Sequence, residues 1–280
     1  MKDLKLFIEG FIIGIGKIIP GVSGAIFAMM FGVYEKALSI ISNLRKELIK
    51  NFKFMLILCT SILIAIIFGS NIIKKCLDNY YFPTMMLFIG MMSGGIKPLI
   101  DKVRNEKVNK KNIVCAIIVV CLLVIVSELN FGVKEGSLEK TPKTSVLLFI
   151  SGLVDAFATV TPGICGTALL MIIGYYDVVI TSLGDIFNIS NIENNLFILI
   201  PFVIGLILGV YLISKLINFL FKRYKQATNY SIIGFAITST LLLLKEVLNK
   251  TYKLNEIILG IILFIIGFII VHFLEKKDIN

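Results

Sequence analysis

The chain has 280 residues, of which 57% are hydrophobic and only 16% are charged. A mean hydropathy of +0.93 excludes an ordinary soluble domain, in which roughly half of the residues are apolar and about a quarter are charged. The formal net charge of +10 would suit a nucleic-acid partner. The lysines and arginines, however, lie between the hydrophobic segments, as they do in membrane proteins. We therefore expect an all-α integral membrane protein that binds no nucleic acid.

The apolar segments form two similar series along the chain. The first series begins with Leu6–Ile41, which has no small-residue cleavage site, so we expect mature structure rather than a signal peptide. The second series begins with Ser145–Leu183. Three plain spans follow each of these stretches, and each approaches the length that a helix needs to cross a bilayer. The plain spans lie at about 54–73, 83–100 and 113–129, and then at about 196–220, 229–247 and 255–274.

A Pro-Gly motif interrupts the first stretch of each series. At an offset of 142 residues (152 − 10), seven residues of the first stretch recur, and these pairs are Gly10/Gly152, Pro20/Pro162, Gly21/Gly163, Gly24/Gly166, Met29/Met171, Gly32/Gly174 and Tyr34/Tyr176. Most are glycine, proline or tyrosine, which apolar composition alone would not align. The pattern predicts an internal duplication within one transmembrane domain, 1–280. Repeat one is 1–130, the connector is 131–144 and repeat two is 145–280.

The distribution of lysine and arginine predicts the orientation. We assume that each interrupted stretch returns to the side from which it entered. The two termini and the segments 42–53, 101–112 and 221–228 then share one side with sixteen lysines and arginines, against eight on the other. The richer side is predicted to be the cytoplasm, which gives a multi-pass protein of the cytoplasmic membrane with both termini inside. Three spans separate the two motifs, and this odd number inverts the second copy, as in alternating-access transporters.

A Pro-Gly break at membrane depth predicts a binding site. Proline removes a backbone donor and disfavours helix before it, and non-helical backbone in a membrane is tolerated only where protein or a water-filled cavity surrounds it. Helices that restart after Pro20 and Pro162 would direct N-terminal amides inward, where they favour an anion. The simpler alternative is a packing kink. We favour a site because the break is duplicated and because hydroxyls accompany both copies, at Ser23, Thr159, Thr161 and Thr167.

The two motif segments also resemble a known family. The segments GKIIPGVSGAIFAMMFGVYEKAL and ATVTPGICGTALLMIIGYYDVVI are similar to the paired signatures of the bacterial and archaeal polyprenyl-phosphate transporters, formerly a membrane family of unknown function. The likeness extends over nearly the whole chain. It implies transport of undecaprenyl phosphate, the carrier lipid of cell-envelope synthesis, from the outer to the inner leaflet. The duplication and its inverted second copy predict an inverted-repeat bundle, in which each half is a Pro-Gly-broken helical hairpin plus three transmembrane helices; each hairpin is either re-entrant or makes two short full crossings.

The motif positions give the candidate phosphate-binding residues. They are Lys17, Pro20, Gly21, Val22, Ser23, Gly24, Thr159, Thr161, Pro162, Gly163, Gly166 and Thr167. Three positions depart from the family signatures: Ala25 replaces a usual glycine, Cys165 a usual serine and Asp177 a usual glutamate. Because Cys165 removes a strong hydroxyl donor, phosphate contacts in the second copy are expected to shift to Thr161, Thr167 or backbone amides.

Four charged residues near the motifs are candidates for charge pairing or proton coupling. Lys17 lies three residues before Pro20 and is either a counter-charge for phosphate or a lysine that snorkels to the interface. Asp155, inside the second stretch, is a candidate proton carrier or a partner for Lys17 across the repeat interface. Glu35 and Asp177 hold equivalent repeat positions, which suggests a shared role in helix pairing or proton coupling.

Two other classes of function are alternatives to lipid transport. A secondary transporter of a small soluble anion would use the same opposed broken helices but needs no lateral opening for a lipid tail. An intramembrane phosphatase would need a pair of histidines or a metal-binding cluster, and the chain has one histidine. We therefore expect no catalytic residues, no metal and no cofactor.

Overall fold

The computed structural model is helical throughout the described part of the chain. It describes residues 2–19, 24–42, 47, 49–101, 103–104, 110–128, 140–161 and 164–276. In the first half the helices are α1 (Lys2–Ile18), α2 (Gly24–Met30), α3 (Tyr34–Ser42), α4 (Phe52–Asn79), α5 (Tyr81–Asp101) and α6 (Lys110–Glu128). In the second half they are α7 (Pro142–Val160), α8 (Gly166–Ile172), α9 (Tyr176–Gly184), α10 (Ile192–Arg223), α11 (Lys225–Leu248) and α12 (Leu254–Lys276), and a short 3₁₀ turn, Ile189–Asn191, precedes α10.

Seven of the described helices are long and apolar enough to cross a membrane, or eight if the bent pair α8 and α9 is counted as one span. The long helices extend beyond the predicted apolar windows because polar residues at their ends remain helical. In α4, for example, the Asn79 side chain donates to the Lys75 carbonyl at 2.8 Å, and Lys74 pairs with Asp185 at 2.6 Å. The multi-pass helical architecture predicted from hydropathy is confirmed.

The helix contacts of the first half have counterparts in the second half, and several of them join the two halves. Helix α1 packs on α4 as α7 packs on α10. The last helix of each half packs on the other half: α12 lies against α5, and α6 lies against α11. Helix α9 contacts α4, as α3 contacts α10. Every one of these contacts has its counterpart at the equivalent place in the other half.

Glycines allow the closest of these packings. A Cβ at Gly90 of α5 would overlap the Phe264 carbonyl of α12, and a Cβ at Gly152 of α7 would overlap the Phe202 carbonyl of α10. Small residues at helix interfaces let backbones approach closely in a membrane, where lipid supplies no hydrophobic driving force between helices. Gly152 therefore lets α7, the helix that leads into the second motif, lie close against α10, and Gly90 does the same for α5 and α12.

Each motif stretch contains a second break that sequence reasoning missed. The predicted hairpin had one break, at Pro-Gly, but the return arm is itself two short helices. The second break falls at Gly32, with φ +69°, and at Gly174, with φ +75°. In both copies the next amide reaches back five residues, Val33 to Ala28 at 2.9 Å and Tyr175 to Leu170 at 2.8 Å. This is the Schellman ending of a helix, which requires a left-handed residue.

The second break redirects the chain. Helices α8 and α9 meet at 117°, so α9 does not continue the return path of α8. It packs instead on α4 of the other half, and it carries Tyr176 in its first position. The second break therefore places a tyrosine of one half beside the broken helix of the other.

Candidate functional site

Lys17 lies where the two broken helices meet. It is in the last turn of α1, where a cation is favoured by the negative end of the helix dipole. Its ammonium nitrogen donates to Asp155 Oδ1 at 2.6 Å and to the Thr159 hydroxyl, both on α7. These two partners are four residues apart and so share one helix face. The lysine is therefore held inside the protein and is not extended to the interface.

The Lys17–Asp155 ion pair is buried. The side chains of Lys17 and Asp155 are 18% and 4% exposed. The Thr159 hydroxyl donates its proton to the Asp155 carbonyl at 2.8 Å, so its oxygen is oriented to accept from the ammonium. Charges are tolerated at such sites only when they are paired and hydrogen-bonded. The structure thus joins Lys17 and Asp155 across the two halves, one of the two roles considered for Asp155 from the sequence.

The glycines that begin the second helix of each motif flank this pair. A Cβ at Gly166 would overlap Asp155 Oδ1 and would lie 3.2 Å from the Lys17 nitrogen. Gly24 lies on the other side, where a Cβ would be 3.5 Å from Lys17 Cβ. The helices that start here, α2 and α8, are only seven residues long. The fixed charges of Lys17 and Asp155, rather than long helix dipoles, therefore dominate the electrostatics of the site.

The contacts of Lys17 can be compared with the alignment of the two motif stretches. Lys17 and Thr159 are equivalent positions, since 159 − 17 is the same offset of 142, and they contact each other. The charges break this equivalence, because the first-half counterpart of Asp155 is Ile13 (155 − 142). The site therefore has one cation from the first half and one carboxylate from the second.

Two tyrosines join the broken helices reciprocally. The Tyr34 hydroxyl donates to the Val160 carbonyl at 2.9 Å, and the Tyr176 hydroxyl donates to the Ile18 carbonyl at 3.1 Å. Ile18 and Val160 are the last residues of α1 and α7, where carbonyls lack intrahelical partners. Each half therefore satisfies the helix end of the other. Sequence reasoning aligned these tyrosines but assigned them no role, although a tyrosine repeated beside a break was the available signal.

Two of the predicted hydroxyl donors already have partners on either side of the Pro-Gly motif of the second copy. The Thr161 hydroxyl, in a residue that is 1% exposed, donates to the Phe157 carbonyl at 2.7 Å. Thr167 is also buried, and its hydroxyl lies 3.0 Å from Cys165 Sγ. Thr161 therefore bonds back to α7, and Thr167 bonds at the start of α8.

The remaining predicted residues are not in the Lys17 cluster as the structure describes it. Glu35 and Asp177 are exposed, and each lies in the first turn of its helix, α3 or α9, where a carboxylate is favoured by the helix dipole. Six motif residues fall outside the described residues, namely Pro20, Gly21, Val22, Ser23, Pro162 and Gly163. Within the described part of the chain, no group of three His, Cys, Asp or Glu side chains is arranged to hold a metal ion.

Comparison with known proteins gives a consistent set of relatives. The chain is 27% identical over 94% of its length to a polyprenyl-phosphate transporter of Staphylococcus aureus (strain NCTC 8325 / PS 47), of which 93% is covered. It is 22% identical over 85% of its length to a polyprenyl-phosphate transporter of Vibrio cholerae serotype O1 (strain ATCC 39315 / El Tor Inaba N16961), of which 76% is covered. No solved structure matches the chain significantly.

The family described as VCA0040-like, undecaprenyl phosphate translocase-like, matches residues 13–258. This range includes both motifs, the Lys17–Asp155 pair and the two reciprocal tyrosines. The resemblance noted from the motif segments is therefore confirmed: the chain belongs to the undecaprenyl phosphate translocase-like family.

Proposed function

We propose that this protein moves undecaprenyl phosphate across the cytoplasmic membrane, from the outer to the inner leaflet, so that the carrier lipid is reused in envelope synthesis. The observation that supports this most is the buried Lys17–Asp155 pair between the two broken helices. A lysine ammonium neutralises phosphate as a point charge. An ionisable pair at membrane depth is expensive and marks a substrate or ion pathway. The names of the relatives supply the lipid class.

The proposed topology is an inverted repeat with both termini in the cytoplasm. The reciprocal helix contacts, the two tyrosine bonds at equivalent positions and the excess of basic residues on one side support it. In this arrangement repeat one (1–130) and repeat two (145–280) form one domain around the Lys17 site. Small rotations of one half against the other would expose that site to each side in turn.

We propose that phosphate competes with Asp155 for Lys17. In the observed state the carboxylate neutralises the ammonium, and a phosphate monoester arriving there would meet a net charge near zero. When Asp155 takes up a proton, its attraction for Lys17 falls and the ammonium is available to phosphate. When the lipid leaves, Asp155 releases the proton and pairs with Lys17 again. One proton then accompanies each lipid, and neither charge is left buried alone.

The other predicted residues have supporting roles in this proposal. The hydroxyls of Thr159 and Ser23 and the backbone amides around Pro20 and Pro162 are the proposed neutral donors to the remaining phosphate oxygens. Gly166 keeps a side chain out of the space around the Lys17 ammonium, and Gly24 lets α2 start close to the backbone of α1 at Lys17. Glu35 and Asp177 remain candidates for proton relay toward the membrane surfaces, since both are exposed.

The test is reconstitution into liposomes with labelled undecaprenyl phosphate and measurement of leaflet exchange. Lys17→Gln should abolish exchange, Lys17→Arg should retain part of it, and Ser23→Ala and Pro20→Ala should reduce it. Lys53→Gln is the matched control, because Lys53 is 76% exposed in its pair with Asp3. Wild-type exchange no faster than in protein-free liposomes would overturn the proposal. Uptake of inorganic phosphate instead would establish the soluble-anion alternative.

A pH gradient tests the coupling separately. Protonation of Asp155 frees Lys17, so acidifying the outer side should speed loading there and net movement to the inner leaflet. Asp155→Asn should remove the dependence on the gradient. Exchange that is unaffected by the gradient in the wild type would exclude proton coupling while leaving lipid transport intact.

A further inference from the structure

An apolar groove leads from the lipid-facing surface to the first break. It lies between α4, α5 and α12, has a volume of about 360 Å³, and reaches Ile19, the residue after the end of α1. Its rim includes the exposed side chains Ile72, Tyr80 and Leu259, and its floor includes the buried Phe88. The volume is in the range of pockets that hold small ligands, roughly 300 Å³ and above.

The lining of the groove offers almost no polar partner. Its one threonine, Thr84, donates its hydroxyl to the Tyr80 carbonyl at 2.7 Å and approaches the Cys76 carbonyl at 3.2 Å, so that hydroxyl is already bonded within the protein. A second pocket, of about 290 Å³ near the end of α11, is lined by charged residues such as Glu128 and Lys245. The groove beside Ile19 therefore differs from that pocket in its apolar lining.

The position of the groove relative to Lys17 restricts the ligand. Ile19 is two residues from Lys17, and Ile18 between them is anchored, because its carbonyl accepts from Tyr176 and its side chain packs where a Cβ of Gly69 would lie. For a ligand whose phosphate lies at Lys17 and whose tail lies in the groove, the tail passes Ile18 into surroundings that offer almost no polar partner. A diacyl phospholipid places glycerol and two esters there, and these buried polar groups would lack partners.

We propose that the groove between α4, α5 and α12 seats the first isoprene units of the polyprenyl chain while the phosphate is at Lys17. This inference rests on the proposed function and adds the location of the tail. A hydrocarbon chain joined directly to phosphate meets the constraint that a diacyl lipid fails. The tail moves from lipid into an equally apolar groove, so it gains little transfer energy. The groove acts by shape, selecting a single chain and directing it past the break.

Tryptophan reporters test the placement of the tail. The chain has no tryptophan, so Leu259→Trp introduces a single indole at the rim of the groove. Ile261→Trp is the matched control. Ile261 is exposed on the same helix but lies about 200° around the helix axis from Leu259, so its side chain points away from the groove. Brominated farnesyl phosphate, a contact quencher with an isoprenoid tail, is titrated into the purified variants. Gel filtration checks folding, and Ile72→Trp on the opposite rim replaces Leu259→Trp if that variant is unstable.

The expected result is saturable loss of indole fluorescence for Leu259→Trp, reversed by unlabelled farnesyl phosphate but not by phosphatidic acid. Ile261→Trp should show only weak quenching that does not saturate. Leaflet exchange should be severalfold slower in Leu259→Trp than in Ile261→Trp, because the indole occupies the rim. Equal quenching at both positions, or equal reversal by phosphatidic acid, would overturn the inference. Absence of exchange in the wild type would instead contradict the proposed function.

Discussion

Replacing Asp155 by asparagine removes the negative charge of the buried pair, so its effects on stability and on transport can both be measured. Asp155 Oδ1 lies 2.6 Å from the Lys17 nitrogen, and the two side chains are 4% and 18% exposed, so solvent screens the pair little. Removing one partner of such a pair leaves an uncompensated buried charge and costs about 3–5 kcal/mol. We expect Asp155→Asn to lower the free energy of unfolding by this amount and to make leaflet exchange independent of the pH gradient.

A double variant checks that the loss comes from the unpaired charge. In Lys17→Met/Asp155→Leu no charge remains buried, and replacing a buried ion pair by apolar residues is often neutral or stabilising by about 1–4 kcal/mol. The double variant should therefore be more stable than either of the single variants Lys17→Met and Asp155→Leu, yet it should be inactive in leaflet exchange. The assay is unfolding in mixed detergent micelles, read as a double-mutant cycle. If the single and double variants unfold alike, or if the double variant still transports lipid, the reasoning is wrong.

Three further predictions concern the framework around the pair. Tyr176→Phe should destabilise the protein by about 1–3 kcal/mol, the cost of an unsatisfied buried carbonyl. Tyr34→Phe should cost less, because Tyr176 is 1% exposed while Tyr34 is half-buried. Thermal unfolding measures both losses of stability, and equal losses would contradict the expected effect of burial. Gly166→Ala should abolish leaflet exchange because its Cβ would overlap the carboxylate that pairs with the lysine, whereas Gly24→Ala, whose closest contact would be 3.1 Å, should retain part of it. Gly32→Ala should cost about 1–2 kcal/mol from its left-handed backbone, since no atom lies within 4 Å of the added Cβ; a neutral result in thermal unfolding would show that the backbone relaxes there.

The architecture and the family were predictable from the sequence because their signals are local. A span of apolar residues must be helical in lipid whatever surrounds it, and a Pro-Gly pair breaks a helix through its own stereochemistry. The repeat of these residues after 142 positions, from Gly10 to Gly152 and from Tyr34 to Tyr176, needs only the chain itself. Lys17 and Asp155 could likewise be selected as unusual, because charges are costly at membrane depth.

What the tertiary structure decided is which of these residues meet. The contact between Lys17 and Asp155 joins residues 138 positions apart, and the bonds from Tyr34 and Tyr176 cross between the halves in both directions. The apolar groove beside Ile19 is formed by α4, α5 and α12, and α12 comes from the other half of the chain. Hydropathy and motif spacing carry no information on such pairings, since they depend on how the two halves pack around their shared centre. The sequence by itself predicted a membrane protein with a Pro-Gly break in each half. Only the tertiary structure showed the second break in each motif stretch, at Gly32 and Gly174, and brought Lys17 of α1 and Asp155 of α7 together as a buried ion pair.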